Sequence, residues 1–239
     1  MKTAFLTFTC SRDASLVHLW AAAVRRLAPD ALLVCAVDQA DATMALPRKC
    51  RRIVTTFDRQ GNLNGIPAVQ GILCTLASVG EEFGAEVVVK MDCDTFLTGA
   101  SWLRWLEAVD FLGFEGGVPL TATGICYAVR TAAARRMADA VQTWRWRTTG
   151  KFPEDQTIFS LSMMHTNSAL VPWSNGAMVQ AFLPTHFHLP EIPLQAGAAV
   201  HCGQAEFLAE YGSSSNRAAL IKSAMVSLLR AGARAGLDT

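Results

Sequence analysis

The sequence VVVKMDCDTFL at residues 87–97 joins an apolar run to two aspartates, Asp92 and Asp94, that stand one residue apart. The run predicts a buried β-strand, and residues two apart on a strand point the same way. Ionised carboxylates are costly at a strand end unless a cation satisfies them. Carboxylate oxygens suit Mg²⁺ or Mn²⁺, which usually bridge to substrate phosphates. The stretch therefore predicts a divalent cation holding a phosphorylated or nucleotide-linked substrate. A solvated turn with a helix cap is the alternative.

Strand-like and helix-like segments alternate through the first half of the chain. Such alternation predicts a parallel sheet with right-handed crossovers, and strands that are apolar on both faces predict helices on both faces. The predicted fold class is therefore α/β with a mostly parallel central sheet. In this half we predict strands at 3–9, 31–37, 53–57 and 86–91, a helix capped by Ser11 or Asp13 that ends near Leu27, and a helix at 67–83 with Gly84 as its C-terminal cap.

The second half of the chain is less regular. Its predicted elements are a short helix from Ser101, strands at 109–114, 124–129, 169–171, 177–182 and 198–203, and helices at 131–146, 156–164 and 217–233. No linker long enough to separate two domains is evident. We predict one catalytic domain over 1–212, with a nucleotide half at 1–97 and an acceptor half at 98–212, followed by an amphipathic helix at 213–239.

Composition limits the classes of function. The 239 residues are 51% hydrophobic and 17% charged, with a net charge of +1. This composition supports a sizeable core and gives no electrostatic case for nucleic-acid binding. The seven cysteines are scattered without a C-x-x-C pair, which favours a reducing compartment over disulfides or zinc. No apolar run is long enough to span a membrane, and residues 1–9 fit a strand better than a signal peptide. The expected location is cytoplasmic.

Polar residues follow several of the predicted strands. The carboxyl ends of parallel strands share one edge of the sheet, where α/β proteins bind ligands. Thr9, Ser11 and Arg12 come after the first strand, Asp38 after the second, and Asn62 after the third. Backbone N–H groups at Ser11 can meet a phosphate at a helix N-terminus, and Asp38 can accept hydrogen bonds from a base or ribose. Loop capping is the alternative role for each of these residues.

Two further groups are candidates for chemistry. Glu154 and Asp155 precede a predicted helix, where acids cap free N–H groups; the alternative is that one carboxylate acts as a general base toward an attacking hydroxyl. His201 follows an apolar strand and precedes Gly203, so it can complete a metal site beside two carboxylates. A structural or exposed histidine is the alternative, and His186 and His188 compete for the metal role.

The order of four short segments resembles the GT-A class of nucleotide-sugar-dependent glycosyltransferases. These segments are the D-x-D unit at 87–97, GICY at 124–127, PED at 153–155 and HCG at 201–203. The resemblance spans about residues 3–205 and rests on the order and spacing of short motifs. The usual Pro-x-Asn after the first strand is replaced by Cys10-Ser11-Arg12-Asp13, so the resemblance leaves the identity of the nucleotide open.

The resemblance implies a Rossmann-like GT-A domain that binds a sugar nucleotide, most simply a UDP-sugar, together with Mn²⁺ or Mg²⁺. It implies that Asp94 is the metal ligand bridging to the diphosphate and that Asp92 contacts ribose or metal. His201 then corresponds to a late histidine ligand, and Asp155 to the base of an inverting enzyme, with Glu154 beside it. The same resemblance assigns nucleotide contacts to a further set of residues: Thr9, Ser11, Arg12, Asp38 and Asn62.

Two other functions stay open at this point. A haloacid-dehalogenase-like, Mg²⁺-dependent phosphatase also ends a strand with D-x-D and Thr, as at 92–95, but it needs the motif on its first core strand. A catalytically inactive nucleotide- or sugar-binding module of the same fold is the second alternative.

The expected partners are the sugar-nucleotide donor and a glycan, lipid-linked or small-molecule acceptor. Tryptophans at 102, 105, 144, 146 and 173 can stack on sugars or simply pack in the core. The terminal helix is expected to pack on the core or against a second copy, as in a homodimer. Peripheral contact with an anionic membrane is the alternative for this helix.

Overall fold

The computed structural model describes residues 1–57, 65–97, 99–115, 122–143, 155–171, 178–180, 199–201 and 226. The described strands are β1 (Thr3–Thr9), β2 (Leu32–Asp38), β3 (Cys50–Thr55), β4 (Val87–Met91), β5 (Thr95–Leu97), β6 (Phe111–Glu115), β7 (Ala122–Arg130), β8 (Ser168–Val171), β9 (Met178–Gln180) and β10 (Ala199–His201). The described α-helices are α1 (Ala14–Leu27), α2 (Gly65–Phe83), α3 (Thr131–Thr143) and α4 (Asp155–Met163). The predicted helix at 217–233 lies outside the described residues except for Val226, which is helical.

A seven-stranded sheet forms the centre of the fold, with the strand order β3-β2-β1-β4-β7-β6-β8. The first four strands in this order are parallel to one another, and β7 is antiparallel to both β4 and β6. Strand β8 is parallel to β6. The predicted α/β class with a mostly parallel sheet is therefore confirmed.

Helices cover both faces of this sheet, as the apolar strands predict. On one face, Trp20 and Val24 of α1 are buried against Phe5 and Val89. On the other face, α2, α3 and α4 bury residues such as Leu76, Met137 and Phe159. Gly80 allows α2 and α3 to approach closely, because a Cβ there would lie 2.0 Å from Thr131 Oγ1.

Three details differ from the sequence-based prediction. Strand β3 begins at Cys50 rather than at residue 53, because an edge strand tolerates exposed charges such as Arg51 and Arg52. The short helix from Ser101 is a 3₁₀ helix, Ser101–Glu107. A second sheet, with the order β5-β10-β9, was not predicted. The left-handed C-terminal residue of α2 is confirmed, since Gly84 has φ 63°.

The strand order places a crevice between β1 and β4. Strands β2 and β3 are added on one side of β1, whereas β4 lies on its other side. Such a reversal leaves a gap between the two crossover helices at the carboxyl ends of the strands, and open α/β sheets bind ligands there. Thr9 ends β1 and Met91 ends β4, so the segments that follow these two residues line the crevice.

Helix α4 begins at the edge of the sheet where β1 and β4 end. Thr131 N–H at the start of α3 donates to Glu86 O, just before β4, so α3 starts at the opposite edge. Helix α4 ends at Met163, whose carbonyl accepts a hydrogen bond from Ser168 Oγ at the start of β8, again at that opposite edge. The backbone of Asp155, at the other end of α4, therefore lies at the edge that carries the crevice.

Candidate functional site

The two aspartates lie in a turn rather than on a continuing strand. Strand β4 ends at Met91, and Thr95 N–H donates to Asp92 O at 3.0 Å. Asp92 N–H donates to Ile125 O at 2.9 Å, which attaches the turn to β7. The expectation that Asp92 and Asp94 lie on one continuing strand was therefore wrong, since the strand stops before Asp92. Both residues are half-buried, and Cys93 between them is buried on the α1 face.

Asp92 has a buried cation beside it. Lys90 Nζ donates to Asp92 Oδ1 and to Gly124 O, and it lies 6.0 Å from the centre of the Tyr127 ring. The Lys90 side chain is only 8% exposed, whereas that of Asp92 is 37% exposed. The sequence argument had assigned the compensating cation to a bound metal, but Lys90 already supplies one positive charge to Asp92.

We expect Asp92→Ala to lower the free energy of unfolding by about 2–3 kcal/mol, because the buried ammonium of Lys90 would lose its carboxylate. Lys90→Met is expected to stay within about 1 kcal/mol of the wild type, because methionine fills a similar volume and Asp92 can be hydrated. Urea unfolding measures both changes. Asp139→Ala, which removes an exposed carboxylate of α3, is the control and should change stability by less than about 0.5 kcal/mol. An Asp92→Ala protein as stable as this control would contradict the assigned role of Asp92.

The loop after β1 is acidic. Thr9 is buried, with 3% of its surface exposed, and residues Ser11–Asp13 form a 3₁₀ helix before α1. Ser11 N–H donates to Asp41 Oδ2 at 3.1 Å, and Cys10 Sγ donates to Asp13 Oδ2 at 3.4 Å. The Ser11 N–H group predicted to meet a phosphate is therefore already engaged by a carboxylate.

Arg12 is the exposed cation of this loop. A side-chain hydrogen bond with Cys10 raises the pKa of Arg12, and the charges of Cys10, Asp13 and Asp41 raise it further. The guanidinium therefore stays charged at all physiological pH values. Asp38, at the end of β2, is half-buried at the same edge of the sheet.

Three carboxylates from two segments lie near Cys93. The pKa of the Cys93 thiol is raised well above its ordinary value, first by burial and then by the negative charges of Asp94, Asp13 and Asp92. The loop after β1 and the turn after β4 are thus electrostatic neighbours across the crevice. Sequence reasoning had named Asp13 as a helix cap and had left out Asp41, although both follow strands that end at this edge.

The strand that carries His201 pairs directly with the strand that follows the aspartates. Strand β10 is antiparallel to β5, and His201 lies opposite Thr95. The backbone of His201 therefore lies one residue pair away from Asp94, although the two are distant in the sequence. On the other side of β10, the backbone of His201 pairs with that of Gln180 in β9.

Helix α4 packs on β7, the strand that pairs with the one that carries Lys90. Phe159, one turn after the helix begins, lies 4.5 Å from the Tyr127 ring, measured between ring centres. Tyr127 in turn lies beneath Lys90. This chain of contacts places the first turn of α4, and so the backbone of Asp155, on the same side of the sheet as Asp92.

Several predicted site features lie outside the described residues. These are Asn62, Glu154 and the side chains of Asp155 and His201. Within the ranges that the structure does describe, no three His, Cys, Asp or Glu side chains are arranged to hold a metal ion. Over the same ranges, no helix is long and apolar enough to cross a membrane.

The fold has counterparts among solved structures. The glycosyltransferase GlyE of Streptococcus pneumoniae TIGR4 matches with a TM-score of 0.52 at 10% identity, covering 99% of this chain and 64% of GlyE. The galactosyltransferase LgtC in complex with donor and acceptor sugar analogs matches with a TM-score of 0.53 at 14% identity, covering 94% of this chain and 96% of LgtC. No protein-family model and no curated protein matches the sequence. The chain has the GT-A fold, and it spans about two thirds of GlyE and nearly all of LgtC.

Proposed function

We propose that this protein is a glycosyltransferase that moves a sugar from a nucleoside-diphosphate donor, a UDP-sugar in the first instance, to a hydroxyl acceptor. One observation carries the proposal: the Asp92–Asp94 turn lies at the crevice between β1 and β4, where GT-A-like sheets have room for a ligand. The likeness to solved glycosyltransferases supports the same reaction class.

The donor would bind along the carboxyl ends of β1, β2 and β4. The loop after β1 carries Asp13 and receives Asp41, so it favours the hydroxyl and N–H groups of a nucleoside over the diphosphate. Thr9, Ser11, Asp38 and Asn62 are proposed for these nucleoside contacts. Arg12 is the charged donor that this loop can offer to a phosphate.

Mn²⁺ or Mg²⁺ is proposed to be held mainly by Asp94 and His201. Carboxylate and imidazole are suitable ligands for Mn²⁺, and the pairing of His201 with Thr95, the residue after Asp94, supports this proposal. Asp92 is the weaker candidate for direct coordination because Lys90 already binds one of its oxygens. We propose that Asp92 contacts the ribose or completes the metal site with its other oxygen. When bound, the ion would neutralise charge on the leaving diphosphate.

The acceptor hydroxyl needs a base on the far side of the sugar. Asp155 is proposed to take this proton as the hydroxyl attacks the anomeric carbon, and Glu154 is its neighbour and competitor. The anomeric carbon has oxocarbenium character in such a transfer. A single base of this kind would give inversion of configuration.

The proposed acceptor is a glycan, a lipid-linked glycan or a small molecule. Contact of the C-terminal segment with a membrane or with a second copy of the chain is also a proposal.

The fold argues against one alternative function and does not separate the other from the transferase. A haloacid-dehalogenase-like phosphatase needs its D-x-D on the first core strand, but Asp92 follows the fourth strand of the chain. An inactive binding module would keep the crevice without turnover. Retention of donor binding together with activity across a donor panel would exclude that module.

We expect nucleoside diphosphates to raise the melting temperature only when Mn²⁺ or Mg²⁺ is present, because a ligand that binds the native state stabilises it. At a ligand concentration of about a hundred times Kd the gain is about 2.7 kcal/mol, which corresponds to roughly 5–10 °C for a chain of this size. Thermal shift with UDP, GDP, ADP and CDP, each with and without the ion, measures the effect. The nucleoside monophosphates are the matched controls. Stabilisation by none of the diphosphates would contradict the proposed function.

A further inference from the structure

Cys50 and Cys35 lie on neighbouring strands at the end of the sheet opposite the crevice. Cys50 is the first residue of β3 and pairs with Leu33 of β2, so Cys35 lies diagonally from it on the same face. Both thiols contact the core on the α1 face, where Cys35 is fully buried and Cys50 is half-buried. The two cysteines are therefore adjacent, and one of them faces solvent in part.

The half-buried thiol lies in a cationic environment. Arg25, near the end of α1, has its Nη2 3.7 Å from Cys50 Sγ and also donates to Arg48 O. Cys50 N–H donates to Pro47 O at 3.0 Å and closes a tight turn in which Lys49 has φ 66°. This turn and strand also carry four exposed cations: Arg48, Lys49, Arg51 and Arg52.

The electrostatics of the pair are asymmetric. Contact with Cys35 lowers the pKa of the Cys50 thiol, and Arg25 acts in the same direction against the effect of burial. Contact with Cys50, together with burial, raises the pKa of Cys35. Cys74 offers a comparison, because it is also half-buried but burial raises the pKa of its thiol. A partly exposed thiol near guanidinium groups is the setting in which reactive cysteines occur.

We propose that Cys50 is a reactive thiol that hydrogen peroxide oxidises and that Cys35 resolves to an intramolecular disulfide. The Cys50 thiolate attacks one peroxide oxygen, the O–O bond breaks, and the released hydroxide takes a proton to leave as water, so that Cys50 becomes a sulfenic acid. The sulfur of Cys35 then attacks the sulfur of Cys50. The proton of the Cys35 thiol and the hydroxyl group of the Cys50 sulfenic acid leave together as a second water. Peroxide has then accepted two electrons in total.

Alkylation of the full chain by iodoacetamide at pH 7, followed by peptide mass spectrometry, tests the reactivity. We expect Cys50 to react about tenfold faster than Cys74, because reaction requires the thiolate. Arg25→Gln should slow Cys50 severalfold and leave Cys74 unchanged, whereas Arg25→Lys should keep most of the rate. Acceleration of Cys74 in a variant would reveal unfolding; the comparison of Cys50 with Cys74 in the wild-type chain then decides. Equal rates for the two thiols would overturn the proposal.

Peroxide treatment tests the resolving role of Cys35. The wild-type chain should yield a Cys35–Cys50 linked peptide pair that has lost two hydrogens. In Cys35→Ser, dimedone should instead label Cys50 as a sulfenic acid, since no neighbouring thiol remains to condense with it. Oxidation of Cys50 in the wild-type chain to a dimedone adduct, with no linked peptide, would remove Cys35 from the proposal. Because the readouts are chemical modification, they are independent of the proposed transferase activity.

Discussion

Asp94→Asn is expected to lower kcat/KM for sugar transfer by about a thousandfold and to abolish the metal-dependent part of donor binding. If Asp94 is a metal ligand, as proposed, its loss would remove much of the stabilisation that the ion would give to the leaving diphosphate, which is worth several kcal/mol. About 4 kcal/mol of lost transition-state stabilisation corresponds to a thousandfold in rate. Thermal shift identifies the nucleoside diphosphate, and nucleotide release from a panel of its sugar derivatives, measured against Mn²⁺ concentration, gives the rate.

Asp139→Asn is the matched control, because it makes the same chemical change at an exposed position on α3. This variant should retain wild-type turnover and the wild-type response to Mn²⁺. Binding of Mn²⁺ itself can be followed by the loss of the free-ion signal in electron paramagnetic resonance. Full activity and unchanged Mn²⁺ affinity in Asp94→Asn would refute the metal assignment even if the protein transfers sugar.

Because Asp92 is paired with Lys90, its contribution to stability has to be measured before its contribution to function can be interpreted. An Asp92 variant that simply unfolds gives no information on catalysis, because its activity loss follows from the unpaired lysine. The stability measurements on Asp92→Ala and Lys90→Met therefore come first. If Asp92→Ala is folded at the assay temperature, its residual activity reports on the nucleotide or metal contact alone.

The main sheet could be predicted because its strands are buried on both faces. The run at 87–91 is almost wholly apolar, and burial on both faces requires this. Strand β3 was harder to predict because an edge strand faces solvent on one side, so Arg51 and Arg52 made its start resemble a loop. Lys90 could have been recognised as the partner of Asp92, because it is the one charged residue of the run at 87–91 and a buried ammonium needs a nearby partner.

The second sheet could not be predicted from local sequence. Strands β5, β9 and β10 each have three residues, too few to show a periodicity. Their pairing depends on contacts between segments that are distant in the chain. Sequence reasoning proposed His201 as a metal ligand from its residue type, its neighbours and a resemblance, whereas the pairing of His201 with Thr95 is a property of the folded backbone. The side-chain geometry of the metal site stays a prediction.

Asp155→Asn is expected to lower turnover by about a hundredfold to ten-thousandfold while leaving donor affinity nearly unchanged. The asparagine amide cannot act as a base, so it cannot take the proton of the attacking acceptor hydroxyl. Asparagine is nearly the same size as aspartate, and Asp155 is the first residue of α4, so the helix should begin normally and the fold should persist. Turnover and donor Kd, measured on the same preparation by nucleotide release and calorimetry, distinguish a lost base from a lost binding site.

Glu154→Gln is the control because it makes the same carboxylate-to-amide change at the adjacent position. If Asp155 is the base, this variant should retain most of its turnover; the opposite ranking would assign the base to Glu154. The stereochemistry of the product gives an independent check, since one base acting on the acceptor predicts inversion at the anomeric carbon. A product of retained configuration, shown by proton NMR before mutarotation, would contradict the base role even if Asp155→Asn were inactive. Wild-type turnover in both variants would place the base on neither carboxylate.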